Sequence, residues 1–135
     1  MRPRTIVADA EAVALIAVRD RQMLPWLAWL KQHDARLYIT GATLAEVTDG
    51  TSRDVAVRRV VASATIVPTD EAIGFQAGKL RAEAAGVRKK PRDLTVDAIV
   101  AATARSLPSP AVVITGDPDD FNLLLQGSTV RVERI

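Results

Sequence analysis

Short apolar runs, each followed by a segment of helical spacing, are the feature that most limits how this 135-residue chain can fold. Thr5–Ala8 and Val112–Thr115 are almost wholly apolar, the pattern of strands buried on both faces. Leu37–Thr40 and Thr65–Val67 are further short β-branched runs, Ala111–Thr115 extends the second apolar run by a residue, and Thr129–Arg134 alternates like an edge strand. Between them, helices are predicted over Ala10–Val18, Pro25–Gln32, Ala42–Val47, Arg53–Ser63, Thr69–Ala85, Leu94–Leu107 and Pro118–Gln126. Pro25 and Pro118 suit a first helical turn, where no backbone donor is needed. Val57, Val60, Val61 and Ala64 recur at i, i+3, i+4 and i+7, one face of a helix. Strands that alternate with helices in this way predict an α/β fold with a mostly parallel sheet flanked by helices on both faces. No repeat or linker interrupts the pattern, so one domain over residues 1–135 is expected.

A parallel sheet places ligands beyond the carboxyl ends of its strands. Asp9, Thr115 and Asp117 stand there. Each acid also has a structural explanation. Asp9 suits a helix N-cap, as does Asp117 before Pro118. Glu46 follows Thr43 by three residues, the spacing of a capping box, and Asp97 lies in the first turn of its helix, where the macrodipole favours an acid. Taken together they weigh differently. Asp97 is flanked by Val96, Ala98, Ile99 and Val100, so its helix should be buried. Two carboxylates about 4 Å apart repel by roughly 4 kcal/mol at an effective dielectric of about 20. A group of them at one edge therefore calls for a counter-charge, and a hard divalent cation held by oxygen meets the need. With no cysteine and a single histidine, Mg²⁺ or Mn²⁺ fits better than zinc. His33 ends a helix, where a dipole interaction accounts for it.

The formal charge of +2 is the sum of sorted parts. Residues 79–92 carry Lys79, Arg81, Arg88, Lys89, Lys90 and Arg92 against Glu83, whereas Asp117, Asp119 and Asp120 have no base among them. Arg88, Lys89, Lys90 and Arg92 are candidates for gripping phosphates, with a solvated loop as the plainer reading. Aromatic residues make up 4% of the chain, which argues against binding by base stacking. Asp9 and Glu11 interrupt the apolar N-terminal stretch, and no run approaches the roughly 20 apolar residues of a membrane span. Neither a span nor a signal peptide is expected, which points to a cytoplasmic protein without membrane partners.

Four stretches resemble the PIN-domain ribonucleases and, among them, the VapC toxins of type II toxin–antitoxin pairs: Thr5-Ile-Val-Ala-Asp9, Thr43-Leu-Ala-Glu-Val47, Thr95–Ala104, and Ile114-Thr-Gly-Asp-Pro-Asp-Asp-Phe121. The third and fourth are the specific ones. The resemblance implies a three-layer α/β/α fold and a metal-dependent endoribonuclease leaving 5′-phosphate and 3′-hydroxyl ends. It puts Asp9, Glu46, Asp97 and Asp117 at the catalytic, metal-binding acids. It makes Thr115 a supporting hydroxyl and Asp120 a further acid beside the site, and Asp119 an extra, exposed one. It also implies a homodimer and a small antitoxin protein that covers the site. Leu24, Trp26, Leu27, Trp29 and Leu30 are candidates for that interface, or for ordinary core packing.

The chain departs from the family pattern at one place. A small hydroxyl residue and then Asn or Ser usually follow the first aspartate; here Ala10 and Glu11 follow Asp9. Glu11 either adds a ligand or disturbs the support of Asp9, and the second alternative leads to a weakened or inactive PIN domain that serves as a binding module. A receiver-like Mg²⁺ module is a poorer match, because it needs adjacent acids after the first strand and a lysine after the last, where this chain has Arg134-Ile135.

Overall fold

The computed structural model describes residues 3–87 and 93–135. In chain order these form β1 (Thr5–Ala8), α1 (Ala10–Ala17), α2 (Leu24–His33), β2 (Arg36–Thr40), α3 (Gly41–Val47), α4 (Asp54–Ala62), β3 (Thr65–Val67), α5 (Glu71–Ala85), α6 (Thr95–Ser106), β4 (Ala111–Thr115), α7 (Pro118–Leu124) and β5 (Arg131–Arg134). The basic run Arg88, Lys89, Lys90 and Arg92, read from sequence as a phosphate grip, lies outside the described residues.

The five strands make one sheet in the order β3-β2-β1-β4-β5, with every pair parallel. Ile6 pairs with Leu37 on one side and with Val112 on the other, which puts β1 and β4 at the centre. The chain builds outward from β1 to β2 and β3, then returns to β4 on the opposite flank of β1 and continues to β5. The direction of winding therefore reverses between β1 and β4, and a crevice opens beyond the carboxyl ends of these two strands. Asp9 follows one of them and Gly116 the other.

Side chains alternate across the sheet with the period of two that a strand imposes. Ile6, Ala8, Leu37, Ile39, Val112 and Ile114 face α1 and its neighbours. Val7, Tyr38 and Val113 face α5, α6 and α7. Both faces are covered, which is why β1 and β4 have no exposed residue. Helix α2 differs, since none of its residues is fully buried, and Trp26, Leu27, Trp29 and Leu30 lie half-buried against the α1 side of the core.

Two capping expectations are corrected. The spacing of Thr43 and Glu46 suggests a capping box, yet the cap of α3 is Thr40, whose Oγ1 accepts from the Thr43 N–H at 3.0 Å. Strand β2 runs directly into the helix, so α3 begins a turn earlier and Glu46 falls near its end. Asp117 holds the N-cap position of α7 before Pro118, but its side chain makes no capping bond.

Candidate metal centre

Asp9 sits where β1 gives way to α1, 6% exposed. Its Oδ1 accepts from the Ala12 N–H at 2.9 Å, so it is a helix cap as the sequence suggests. Its other oxygen is engaged differently. The Thr115 hydroxyl donates to Asp9 Oδ2 at 2.5 Å, and the same Thr115 oxygen accepts from the Asp117 N–H at 2.8 Å. A single, fully buried threonine thus ties the end of β1 to the turn after β4. It fixes the rotamer of Asp9 and the backbone position of Asp117 together.

Burial pushes the Asp9 carboxyl above its ordinary value. The Glu11 charge pushes in the same direction, while the Thr115 hydroxyl and the N–H groups of Ala12 and Gly116 work against it. The folded protein therefore holds this proton more tightly than the unfolded chain does. Protonation of Asp9 favours folding, and that benefit is lost as pH rises from the ordinary aspartate value through the raised one. Asp9→Asn keeps the capping oxygen and does not titrate, so in EDTA the melting temperature of wild type relative to this variant should fall as pH rises from the ordinary aspartate value through the raised one, by circular dichroism; a difference that does not change with pH would count against a charge held at a cost.

Thr115→Val removes a hydroxyl that bonds a carboxylate and keeps the shape. Hydrogen bonds to charged groups are worth about 1.5–3 kcal/mol. The variant should lose about that much stability in urea unfolding, and unchanged stability would mean that the link between β1 and β4 carries no energy.

The remaining acids arrive on helices. Asp97 lies in the first turn of α6, half-buried, with its Oδ2 shielded from solvent. Helix α6 packs on β1, β2 and β4 and leads into the amino end of β4, so it runs back across the sheet from the carboxyl edge, where it starts. Glu46 is exposed on α3, which packs against α6. Asp120 is 4% exposed in the first turn of α7, whereas Asp119 is exposed. Glu11 is drawn into the crevice by a contact with Gly116, a pairing that sequence reasoning had not supplied. Its signal was faint: an acid two residues after Asp9 and a glycine two residues after Ile114. His33 is elsewhere, with its ring stacked on Trp29 at 4.6 Å and its Nδ1 3.1 Å from the Trp29 carbonyl.

The donor set fits a hard divalent cation. It is all oxygen, it is anionic, and it combines buried and exposed carboxylates at a parallel-sheet edge. Among the described residues, no three acidic or histidine side chains converge closely enough to enclose an ion. Mg²⁺ does not require such a cage, because it commonly keeps several waters and takes one or two carboxylates together with substrate phosphates.

The family model for the PIN domain matches residues 6–123. No curated protein matches the chain. Among solved structures, the fold is similar to a chain of DNA-bound VapBC from Salmonella typhimurium, with 18% identity, a TM-score of 0.71, and 96% of this chain and 97% of that chain covered. It is also similar to a chain of VapBC-5, of the VapBC family of toxin-antitoxin systems, from Mycobacterium tuberculosis, with 25% identity, a TM-score of 0.62, and coverage of 98% and 100%. A chain of FitAcB from Neisseria gonorrhoeae is 24% identical at a TM-score of 0.64, with 94% and 95% covered.

Proposed function

The chain belongs to the PIN-domain family, and from that premise we propose that it is a metal-dependent endoribonuclease, the toxin of a toxin–antitoxin pair, that works at the crevice between β1 and β4. The observation that carries this reading is the Thr115 link, which holds Asp9 and Asp117 in fixed relation at the winding reversal of the sheet. PIN domains are nucleases, so the coarser part of the reading follows from the family.

In this reading Asp9, Glu46, Asp97 and Asp117 hold one or two Mg²⁺ or Mn²⁺ ions, with Thr115 and Asp120 in support. When bound, such an ion supplies a water of lowered pKa and neutralises charge on the phosphate. The chain itself orients. Thr115 keeps Asp9 Oδ2 in one direction by donating its proton there, which leaves Asp9 an acceptor in a fixed pose. The N–H of Asp117 is occupied by Thr115, so the backbone after β4 cannot swing away from the crevice. The chain has no thiol, and its single histidine, His33, is engaged with Trp29, so it offers no Cys-His or Ser-His pair, and water is the attacking group in this reading. An acidic crevice repels a polyanion, and Arg88, Lys89, Lys90 and Arg92, which precede α6 in sequence, are suited to hold the flanking phosphates.

The structural neighbours are chains of VapBC and FitAB complexes, and an antitoxin protein is the partner proposed for this one. The surface suited to it is an apolar groove of about 300 Å³ lined by Ile16, Leu24, Leu27, Leu37 and Val60, with Arg19 and Arg59 among its walls. Leu24 is 49% exposed there, and α2 leaves its apolar residues incompletely covered. A homodimer is part of the same proposal. Among the described residues no helix is long and apolar enough to cross a membrane, and a cytoplasmic location is likewise proposed.

A second reading, a PIN domain that binds without cutting, draws on the lack of three converging acids among the described residues. Titration calorimetry with Mn²⁺ at neutral pH, followed by mapping of the ends of any cleaved RNA, separates the two. Binding together with 5′-phosphate and 3′-hydroxyl products supports the nuclease. No heat of binding and intact RNA would leave the binding module.

A further inference from the structure

Gly116 lies in the turn between β4 and α7, beside the carboxyl end of β1. A side chain there has no room. A Cβ built on Gly116 would stand 1.6 Å from Glu11 Oε2, 2.3 Å from its Cδ and 2.8 Å from Oε1. The backbone does not ask for glycine at this position, since the left-handed glycines are Gly50 and Gly127, with φ of 79° and 78°. What the missing side chain provides is space, and the carboxylate of Glu11 occupies it.

Glu11 had no need to be there. It is in the first turn of α1 with its side chain largely exposed, and a glutamate on a helix surface ordinarily extends into water. Here its carboxylate instead lies over the turn that follows Thr115, at the end of the strand whose Ile114 carbonyl accepts from the Asp9 N–H at 3.2 Å. Like charges brought together at one crevice cost free energy unless a cation is shared between them.

We propose that Glu11 is a fifth carboxylate of the cation site, seated over Gly116, and that the bare Cα of Gly116 is the steric condition for its presence there. This rests on the reading of the crevice as a divalent-cation centre. Glu11 adds an oxygen donor from the α1 side, and it gives this chain a donor set more anionic than the four acids alone.

The pair makes a double-mutant cycle. Glu11→Gln removes the charge in place. Gly116→Ala puts a methyl where the carboxylate sits; the colliding atoms are the far end of a flexible side chain, so the carboxylate swings out and the fold survives. Mn²⁺ affinity is measured by titration calorimetry for wild type, Glu11→Gln, Gly116→Ala and the double variant, with melting in EDTA as the control for folding. Groups that only hydrogen-bond a metal's ligands already contribute about 10- to 100-fold in affinity, and a donor to the ion contributes at least about as much. Glu11→Gln is expected to weaken Mn²⁺ binding by about 10-fold. Gly116→Ala should weaken it similarly, and the double variant no further than either single one. Glu11→Gln that binds within about twofold of wild type would overturn the proposal while leaving the cation centre standing. So would an equal added loss from Gly116→Ala in the Glu11→Gln background. Wild type that binds no Mn²⁺ would overturn the cation centre and this proposal together.

Discussion

Phe121→Ala is expected to cost about 3–5 kcal/mol of folding stability, the range for truncating a buried aromatic ring. Phe121 is the largest of the fully buried side chains, with none of its surface exposed. It belongs to the core cluster that includes Val113 of the central strand, Leu80 of α5 and Ala98 of α6, and its helix packs on all three of those elements. Few atoms stand ready to fill the space, because the surrounding side chains on α6 are mostly alanines held by the helix backbone. Domains of this size are stable by only about 5–15 kcal/mol, so the variant should unfold at markedly lower urea with an unchanged slope. The ring also anchors the first turns of α7, four residues after Asp117. A loss below about 1 kcal/mol would mean that α7 is held mainly by something other than its core face.

Much of the fold was legible because the strong signals are local. β1, β3 and β4 fall on the expected residues, since short runs of β-branched and apolar side chains between turn residues leave few alternatives. Helix ends shifted by a residue or two where capping decided them: Asp70 caps α5, so that helix starts at Glu71 rather than Thr69. Strand β2 gains Arg36 because that residue pairs with Thr5, a partner that no local pattern reveals. The order of the strands is of the same kind. That β1 lies between β2 and β4 depends on pairings made across the length of the chain, and with it the crevice between β1 and β4.

The positions of the candidate acids in the fold were legible to a similar depth. Asp9 and Asp117 could be placed at strand ends from the direction of a parallel sheet, and Asp97 from its apolar surroundings. The double role of Thr115, as donor to Asp9 and acceptor from Asp117, required the two strand ends to be seen side by side. Glu46 illustrates the limit of a local motif. Its spacing from Thr43 fits a capping box, yet Thr40 had already taken that task, which releases Glu46 from a structural duty at the helix start. The contact of Glu11 with Gly116 joins two residues distant in sequence and has no local signature.

Asp97→Asn is expected to lower the rate of RNA cleavage by two orders of magnitude or more. The change keeps the shape of the side chain and its place in the first turn of α6, and removes one negative charge. Partners one shell out from a metal already cost 10- to 100-fold when mutated, so a side chain proposed to touch the ion directly should cost at least about that much. Stability should fall little, because asparagine occupies the same volume in the same half-buried position. A variant that stays folded and loses activity separates chemistry from architecture.

The direct test of the account is therefore a cleavage time course on a structured RNA with purified wild type and Asp97→Asn, each in Mn²⁺ and in EDTA. The account predicts cleavage by wild type in Mn²⁺ alone, with Asp97→Asn reduced by about 100-fold or more. Equal cleavage by the two proteins, or cleavage by wild type that persists in EDTA, would contradict it.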